Sequence, residues 1–398
     1  MTASSRPLAL AVRFLAIGLF VAGAVGLGWF GWHLNLDRAC EANEWPYFSS
    51  CPKADTSRVA QVEALRVRAA RNPGDSTTFL ALALLTTQPG GIAPLGADQV
   101  LDVAKQLAGQ DPMLRRVLAS QAIQRANWTQ AVSLLTGLVQ DHRDAGAAQQ
   151  LAALIALPAA RDAMIAALQP GALWLEPVLR AMPAAKVPVQ QAMPLLARGL
   201  GLKLLSADIG LAVVGYLRAQ GAWVDAQAMW LHLLGRPTAL LFNGGFDDGF
   251  IRGGFDWELP DMSAYQAGVQ VQQPVLAGGD GRALELSFNG RPLKLPVIGQ
   301  YLVLPPGPYV FSGRFMAREL RAGEGLTWVF TCANSDAELA RTTSLTDTGG
   351  KWQGLELALD VPARCAAVLM QLRTQLASDA LSGLRGSAFF DDFRLSMR

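Results

Sequence analysis

Pro237 divides this 398-residue chain into two stretches whose apolar residues follow different periods. Upstream they recur every three or four positions. In ANWTQAVSLLTGLVQDH, Trp128, Ala131, Leu134, Leu135 and Leu138 share one face of a helix. In SRVAQVEALRVRAARNPGD, Val59, Val62, Leu65 and Ala69 do so, and Asn72-Pro73-Gly74 ends the run. GAWVDAQAMWLHLLG starts after Gly221 and stops at Gly235. Downstream, Gly, Asn, Asp and Pro become frequent and apolar residues alternate. Leu284, Leu286 and Phe288 form one such set, and Tyr309, Phe311 and Phe315 another. Leu326, Trp328, Phe330 and Cys332 follow, then Val368, Met370 and Leu372. Turns such as Pro305-Pro306-Gly307 and Thr348-Gly349-Gly350 separate them. Period 3.6 in one block and period 2 in the next predict a multidomain α + β chain, a helical array followed by an antiparallel β-sandwich.

Within the helical block, Trp128/Ala131 and Trp223/Ala226 repeat a Trp three residues before a small residue. This resembles the first helix of a tetratricopeptide repeat, where the small residue lets a paired helix approach. The two Trp lie about three repeats of 34 apart. The units between them match poorly, so an irregular helical array fits as well. Either arrangement stacks helix pairs on one continuous apolar core and suits the docking of a partner protein.

The strand-rich block opens on FNGGFDDGF and closes on FFDDFRL, and between them stands Gly350-Lys351-Trp352. In this order the three motifs resemble the jelly-roll carbohydrate-binding modules of families four, nine and twenty-two. The resemblance covers residues 240–398. It implies that the two Asp-bearing ends meet in a closed sandwich. It further implies a structural calcium between them, held by Asn243, Gly245, Asp247 and Asp391; calcium takes carboxylate and backbone oxygens. The same Asn and Asp also suit turns, where they bond their own backbone. The resemblance implies sugar binding too. Flat aromatic rings stack on the apolar faces of pyranoses while polar neighbours bond the hydroxyls. The candidates are Trp257, Tyr265, Tyr301 and Trp352. Trp257, between Asp256 and Glu258, leads them as an exposed ring, whereas Trp328 belongs to a core alternation.

At the other end of the chain, residues 14–32 carry no charged side chain, close to the ~20 apolar residues a spanning helix needs. Arg6 and Arg13 precede the run, and Asp37, Glu41 and Glu44 outnumber Arg38 after it. That asymmetry keeps the N-terminus in the cytoplasm and exports the rest. Ala22-Gly23-Ala24 also resembles a signal-peptide cleavage site, but the run continues to Trp32, which favours an uncleaved anchor. The expected localisation is the bacterial inner membrane: single-pass, N-terminus cytoplasmic, bulk periplasmic. Four cysteines form two local pairs, Cys40 with Cys51 and Cys332 with Cys365. An even count outside the membrane predicts disulfides in an oxidising compartment. A metal site is the alternative, against which stand the missing Cys-x-x-Cys spacing and the distance in sequence to the three histidines. The expected domains are an anchor at 1–35, a juxtamembrane loop at 36–55, helices at 56–238 and the jelly roll at 239–398.

Composition narrows the function. The chain is 51% hydrophobic and 17% charged, with a formal net charge of +2 and no basic stripe, which argues against nucleic acid. His33, His142 and His232 lie in separate segments beside no nucleophile motif, and no P-loop or dinucleotide fingerprint occurs. The Asp pairs could be imagined as glycosidase carboxylates, but the meeting ends explain them better. The expected function is therefore non-catalytic. The combination of anchor, tetratricopeptide-like helices and carbohydrate-module-like sandwich resembles accessory proteins of exopolysaccharide or cell-envelope glycan pathways, which implies a membrane-anchored role in glycan synthesis and export with polysaccharide and envelope proteins as partners. A scaffold without sugar binding and a weak glycoside hydrolase or lyase are the alternatives.

Overall fold

A computed structural model describes residues 25, 57–87, 97–260, 268–276, 281–333, 335 and 337–398. The chain divides into two compact units, one reaching to Ala108 and one spanning Gly109–Arg398. In the first, helices α1 (Arg58–Arg71), α2 (Ser76–Thr87) and α3 (Ala97–Ala108) pack in sequence order. They bury Val62, Leu82, Ala83, Leu101 and Ala104. The Ser57 hydroxyl caps α1 by accepting from the Ala60 N–H, and α1 ends at Asn72 as its Asn-Pro-Gly terminator predicts.

The second unit begins with eight helices among the described residues: α4 (Pro112–Gln124), α5 (Trp128–His142), α6 (Ala145–Leu154), α7 (Pro158–Ala167), α8 (Leu175–Ala181), α9 (Val189–Gly201), α10 (Ala207–Ala219) and α11 (Trp223–Leu234). Asp111, Asn127 and Asp144 cap α4, α5 and α6 through their side-chain oxygens. From α5 to α8 each helix packs on the one two places ahead: α5 on α7, α6 on α8, α7 on α9, α8 on α10. Stacking of this kind runs one core through the array. Ala131 and Ala226 are both fully buried in it.

Two antiparallel sheets follow. The five-stranded sheet has the order β1-β2-β9-β4-β7, and the four-stranded sheet β3-β8-β5-β6. The strands are β1 (Val269–Gln272), β2 (Leu284–Asn289), β3 (Ile298–Leu302), β4 (Gly307–Arg321), β5 (Leu326–Cys332), β6 (Glu338–Arg341), β7 (Gln353–Val361), β8 (Val368–Thr374) and β9 (Arg385–Met397). A short helix, α12 (Ala377–Ser382), precedes β9. The alternating sets expected from the sequence all face the shared core, with Leu284, Phe311, Trp328, Met370 and Leu372 fully buried. Cys332 and Cys365 form a disulfide with Cα atoms 5.5 Å apart, tying the end of β5 to the approach of β8. Cys40 and Cys51 lie outside the described residues.

The inner-membrane, single-pass expectation requires correction. No helix among the described residues is long and apolar enough to cross a membrane. The longest, α5, has 15 residues, about 22 Å of helix against a hydrocarbon core of about 30 Å. Apart from Val25, residues 14–32 lie outside the described residues. The helix-to-strand change expected near residue 238 is present, yet α4 to α11 cluster with the sandwich in one unit. The reason is direct packing: Trp223 of α11 stacks on Tyr301 of β3 at 5.1 Å, and Trp230 meets Phe242 edge-on at 5.6 Å.

Candidate functional site

The ends of the sandwich meet through backbone. The Phe393 N–H donates to the Gly244 carbonyl at 2.9 Å. The approach is close enough that a Cβ on Gly244 would fall 2.1 Å from the Phe393 oxygen, so only glycine fits there. β9 itself lies in the middle of its sheet, between β2 and β4, while β1 pairs with β2.

The FFDDF stretch gains its meaning from a β-bulge. Ser312 pairs with Arg394 and Arg314 with Asp391, so β9 spends one more residue than β4 over that step. Asp392 absorbs the extra residue at φ 55°. The bulge lets Phe390 and Phe393 both enter the core while Asp391 and Asp392 both face Arg314. Gly313 opposite has no side chain; a Cβ there would lie 2.3 Å from the Phe393 ring.

Of the four residues expected to hold calcium, three have polar side chains already engaged by the protein's own groups. The Arg314 guanidinium pairs with Asp391 and reaches Asp392 Oδ2 at 3.0 Å. Burial pushes the Asp391 carboxyl above its ordinary range, against the pull of Arg314. Asp247 Oδ1 accepts the Arg282 N–H at 2.8 Å. Asn243 Oδ1 accepts from the Asp248 N–H at 3.1 Å, and its carbonyl accepts the Trp257 indole N–H at 3.1 Å. Gly245 sits beside the Asp247 carboxylate. Arg314 already supplies a positive charge beside the Asp391 carboxylate. Among the described residues no group of three His, Cys, Asp or Glu side chains could hold a metal.

The four expected sugar-binding rings fare differently. Trp257 is 1% exposed and walled in by Phe246 at 5.0 Å, Trp328 at 5.9 Å and Phe393 at 6.1 Å, so it is core. Its segment is irregular and polar, but it crosses the end of the sandwich and turns the indole inward. Tyr301 is half-buried, with Trp223 on its ring and the Arg218 guanidinium 4.2 Å from its centroid. Tyr265 lies outside the described residues. Trp352 stands on the outer face of the five-stranded sheet, partly exposed.

On that outer face Trp352 and the polar side chains are partly exposed, while Met316 and Phe389 are buried at 4% and 7% exposure. The turn before β7 is pinned to β4 by the Thr348 hydroxyl, which accepts from the Ala317 N–H at 2.9 Å, and by the Gly350 N–H, which donates to the Ala317 carbonyl at 2.9 Å. This sets Trp352 beside Met316, and Met316 pairs with Phe389, which pairs with Glu285. The neighbouring row runs Arg318, Ser387, Ser287. From Trp352 to Glu285 the strip crosses three inter-strand spacings, about 14 Å. Arg314 lies over the Trp352 ring at 4.9 Å and Arg318 over Phe389 at 5.2 Å. Ser287 and Ser387 hydroxyls are 3.2 Å apart, and Ser287 also donates to Glu285 at 3.1 Å. Arg314, Arg318, Phe389, Glu285, Ser287 and Ser387 were not anticipated as site residues. Their signal was present in the non-core phase of strands whose core phase was read correctly.

No protein-family model matches the chain, and no curated protein matches it. Solved structures similar to it include a family 4 carbohydrate-binding module, 16% identical over 40% of this chain and 99% of that one, with a TM-score of 0.31. Another is the xylan-binding module CBM22-1 of Paenibacillus barcinonensis Xyn10C, at 17% identity over 41% and 97% of the two chains and a TM-score of 0.27. A third, the module TmCBM61 solved with β-1,4-galactotriose, is 16% identical over 41% and 100%, with a TM-score of 0.26.

Proposed function

We propose that this is a non-catalytic glycan-binding protein. Its sandwich engages a polysaccharide along the outer face of the five-stranded sheet, and its helices dock a partner protein of glycan synthesis or export. The observation that supports the reading is the strip itself: the partly exposed Trp352 indole with Arg314 over it, in register with paired serine hydroxyls and a carboxylate. Rings of this kind stack on apolar sugar faces, while Arg, Ser and Glu supply donors and acceptors for hydroxyls. Polysaccharide pull-down with the full chain tests it. Trp352→Ala should weaken retention about tenfold, some 1.4 kcal/mol. Undiminished retention by the folded variant would place the glycan elsewhere. The burial of Trp257 and the use of Tyr301 against Trp223 favour a second reading, in which the sandwich is a scaffold for the helices. Failure of the folded wild type to retain any polysaccharide would leave that reading standing.

A further inference from the structure

A second bulge lies toward the C-terminal end of β4. Arg318 pairs with Ser387 and Arg321 with Arg385, so β4 spends one more residue than β9 over that step. Glu319 takes φ 55°, and a Cβ on Gly386 would lie 2.2 Å from its carbonyl oxygen. The extra residue resets the alternation. Leu320 enters the core, and Arg321 comes to the outer face directly opposite Arg385. The Cα atoms of such a pair lie about 5 Å apart, and like charges placed opposite one another on a sheet repel. Arg318 stands in the next row of the same face, two residues along β9 and about 7 Å away. It lies against the turn that carries Trp352: a Cβ on Gly350 would be 3.7 Å from the Arg318 side chain.

Arg318, Arg321 and Arg385 are all exposed. Arg314 and Arg394, farther along the face, pair with Asp391 and Asp392. The other three pair with no carboxylate among the described residues. Nearby acids have other tasks: Glu285 accepts from Ser287, and Asp347 accepts the Leu320 and Gly349 N–H groups. Arg385 joins the other two only through strand pairing, so the cluster leaves no run of basic residues in the sequence.

We propose that this end of the face selects a polysaccharide bearing carboxylates, a polyuronate, with Arg318, Arg321 and Arg385 on its acid groups and Trp352 on a neighbouring ring. The inference rests on the glycan reading of the sheet and narrows it. A guanidinium offers paired N–H donors that match a carboxylate. Ser387 and Ser287, in line with Arg318, offer hydroxyls to the uncharged oxygens of the same chain. A neutral polymer would leave the Arg321–Arg385 repulsion as it is, whereas an acidic one relieves it. Duplex nucleic acid fits less well, because its binding rests on many phosphate contacts and this cluster is three arginines flanked by Glu285 and Glu319.

Retention of the full chain on polygalacturonate, alginate and hyaluronate, each beside its carboxyl-esterified form, tests the assignment, with xylan, galactan and duplex DNA alongside. At least one acidic polymer should be held about tenfold or more tightly than its ester, and less tightly as salt rises from about 0.05 to 0.5 M. Changing Arg318→Gln, Arg321→Gln and Arg385→Gln together should weaken that retention at least about tenfold. Arg318→Gln alone should weaken it severalfold and serves if the triple variant does not fold. Equal retention of the ester, unchanged retention by the folded variants, or duplex DNA held as tightly would each overturn the proposal. Retention of neutral polymers alone, lost in Trp352→Ala, would overturn the acid preference and leave glycan binding by the sheet standing. Retention of no polysaccharide would overturn both.

Discussion

The guanidinium of Arg314 sits against both carboxylates of the Asp391–Asp392 bulge. Two adjacent carboxylates on one strand repel, and Asp391 is almost fully enclosed. Arg314→Gln would leave that carboxylate without its charge partner, and stranding a buried charge in this way costs about 3–5 kcal/mol. Thermal melting should show a loss of several degrees, and EDTA or added calcium should leave the wild-type melting temperature where it is. A fall with EDTA would mean that the ends are metal-bound after all. Asp256 offers a second test, with its sign set by burial. Enclosure, with Asp248 as the nearby like charge, raises its carboxyl above the ordinary value of 3.8. Its contribution to stability is therefore full below that value and lost as pH rises through the higher folded one. Asp256→Asn has no such loss, so its melting temperature relative to wild type should climb as pH rises above about 4. A constant difference would contradict the enclosure. These two aspartates were legible as residues of note, but their partners were not. Sequence shows that Asp391 is beside aromatics, yet only the bulge tells which strand faces it. Trp257 shows the same limit: polar neighbours mark an irregular segment and say nothing about where the ring points.

Helix ends were readable because capping is local. Asn72, Asn127 and Gly235 stand at the ends their residue types announce, Gly235 at φ 64°. Asp144 makes the point energetically. Burial alone would raise its carboxyl, but the N–H groups of Ala147 and Gly146 and the Arg116 guanidinium overcome this and hold it below 3.8. Asp144→Ala should destabilise by about 1 kcal/mol. The difference should vanish as pH falls through the depressed carboxyl value, measured by melting both proteins from pH 7 down to 3. Strands were readable where one face is core and the other is not, as in β2, and β5, buried on both faces, was readable because Thr327 and Thr331 interrupt its apolar run. β3 escaped because helices cover its outer side, leaving Ile298, Gly299, Gln300 and Leu302 buried alike and no alternation to see. β6 escaped because it is four residues long. The disulfide was legible from cysteine count and strand position together. Closing a loop of sequence separation 33, it should contribute about 3–4 kcal/mol through the unfolded chain. Melting with and without a reducing agent measures this, and an unchanged midpoint would show that the bridge adds nothing to stability.

At the scale of the molecule, the two kinds of secondary structure behave as one body from Gly109 onward. Period alone places a boundary near residue 238, because it reports what each segment is made of and not what it packs on. The junction is built from large side chains: Trp223 on Tyr301, Trp230 against Phe242, and Gln300, fully buried, donating to the Phe242 carbonyl at 2.9 Å. Gly254 is so close to Trp230 that a Cβ would lie 2.1 Å from the ring. A sandwich cut free near residue 239 would expose Phe242, Phe255 and Tyr301 together, an apolar patch that invites aggregation. Helices and sandwich should therefore unfold together. Trp223→Ala removes a ring that is 7% exposed, a change that costs about 3–5 kcal/mol in a packed core. If the junction is one core, the variant lowers the helical signal at 222 nm and the tryptophan fluorescence transition of the sandwich by the same number of degrees. If the helices alone shift while the sandwich transition stays, the junction is a surface contact.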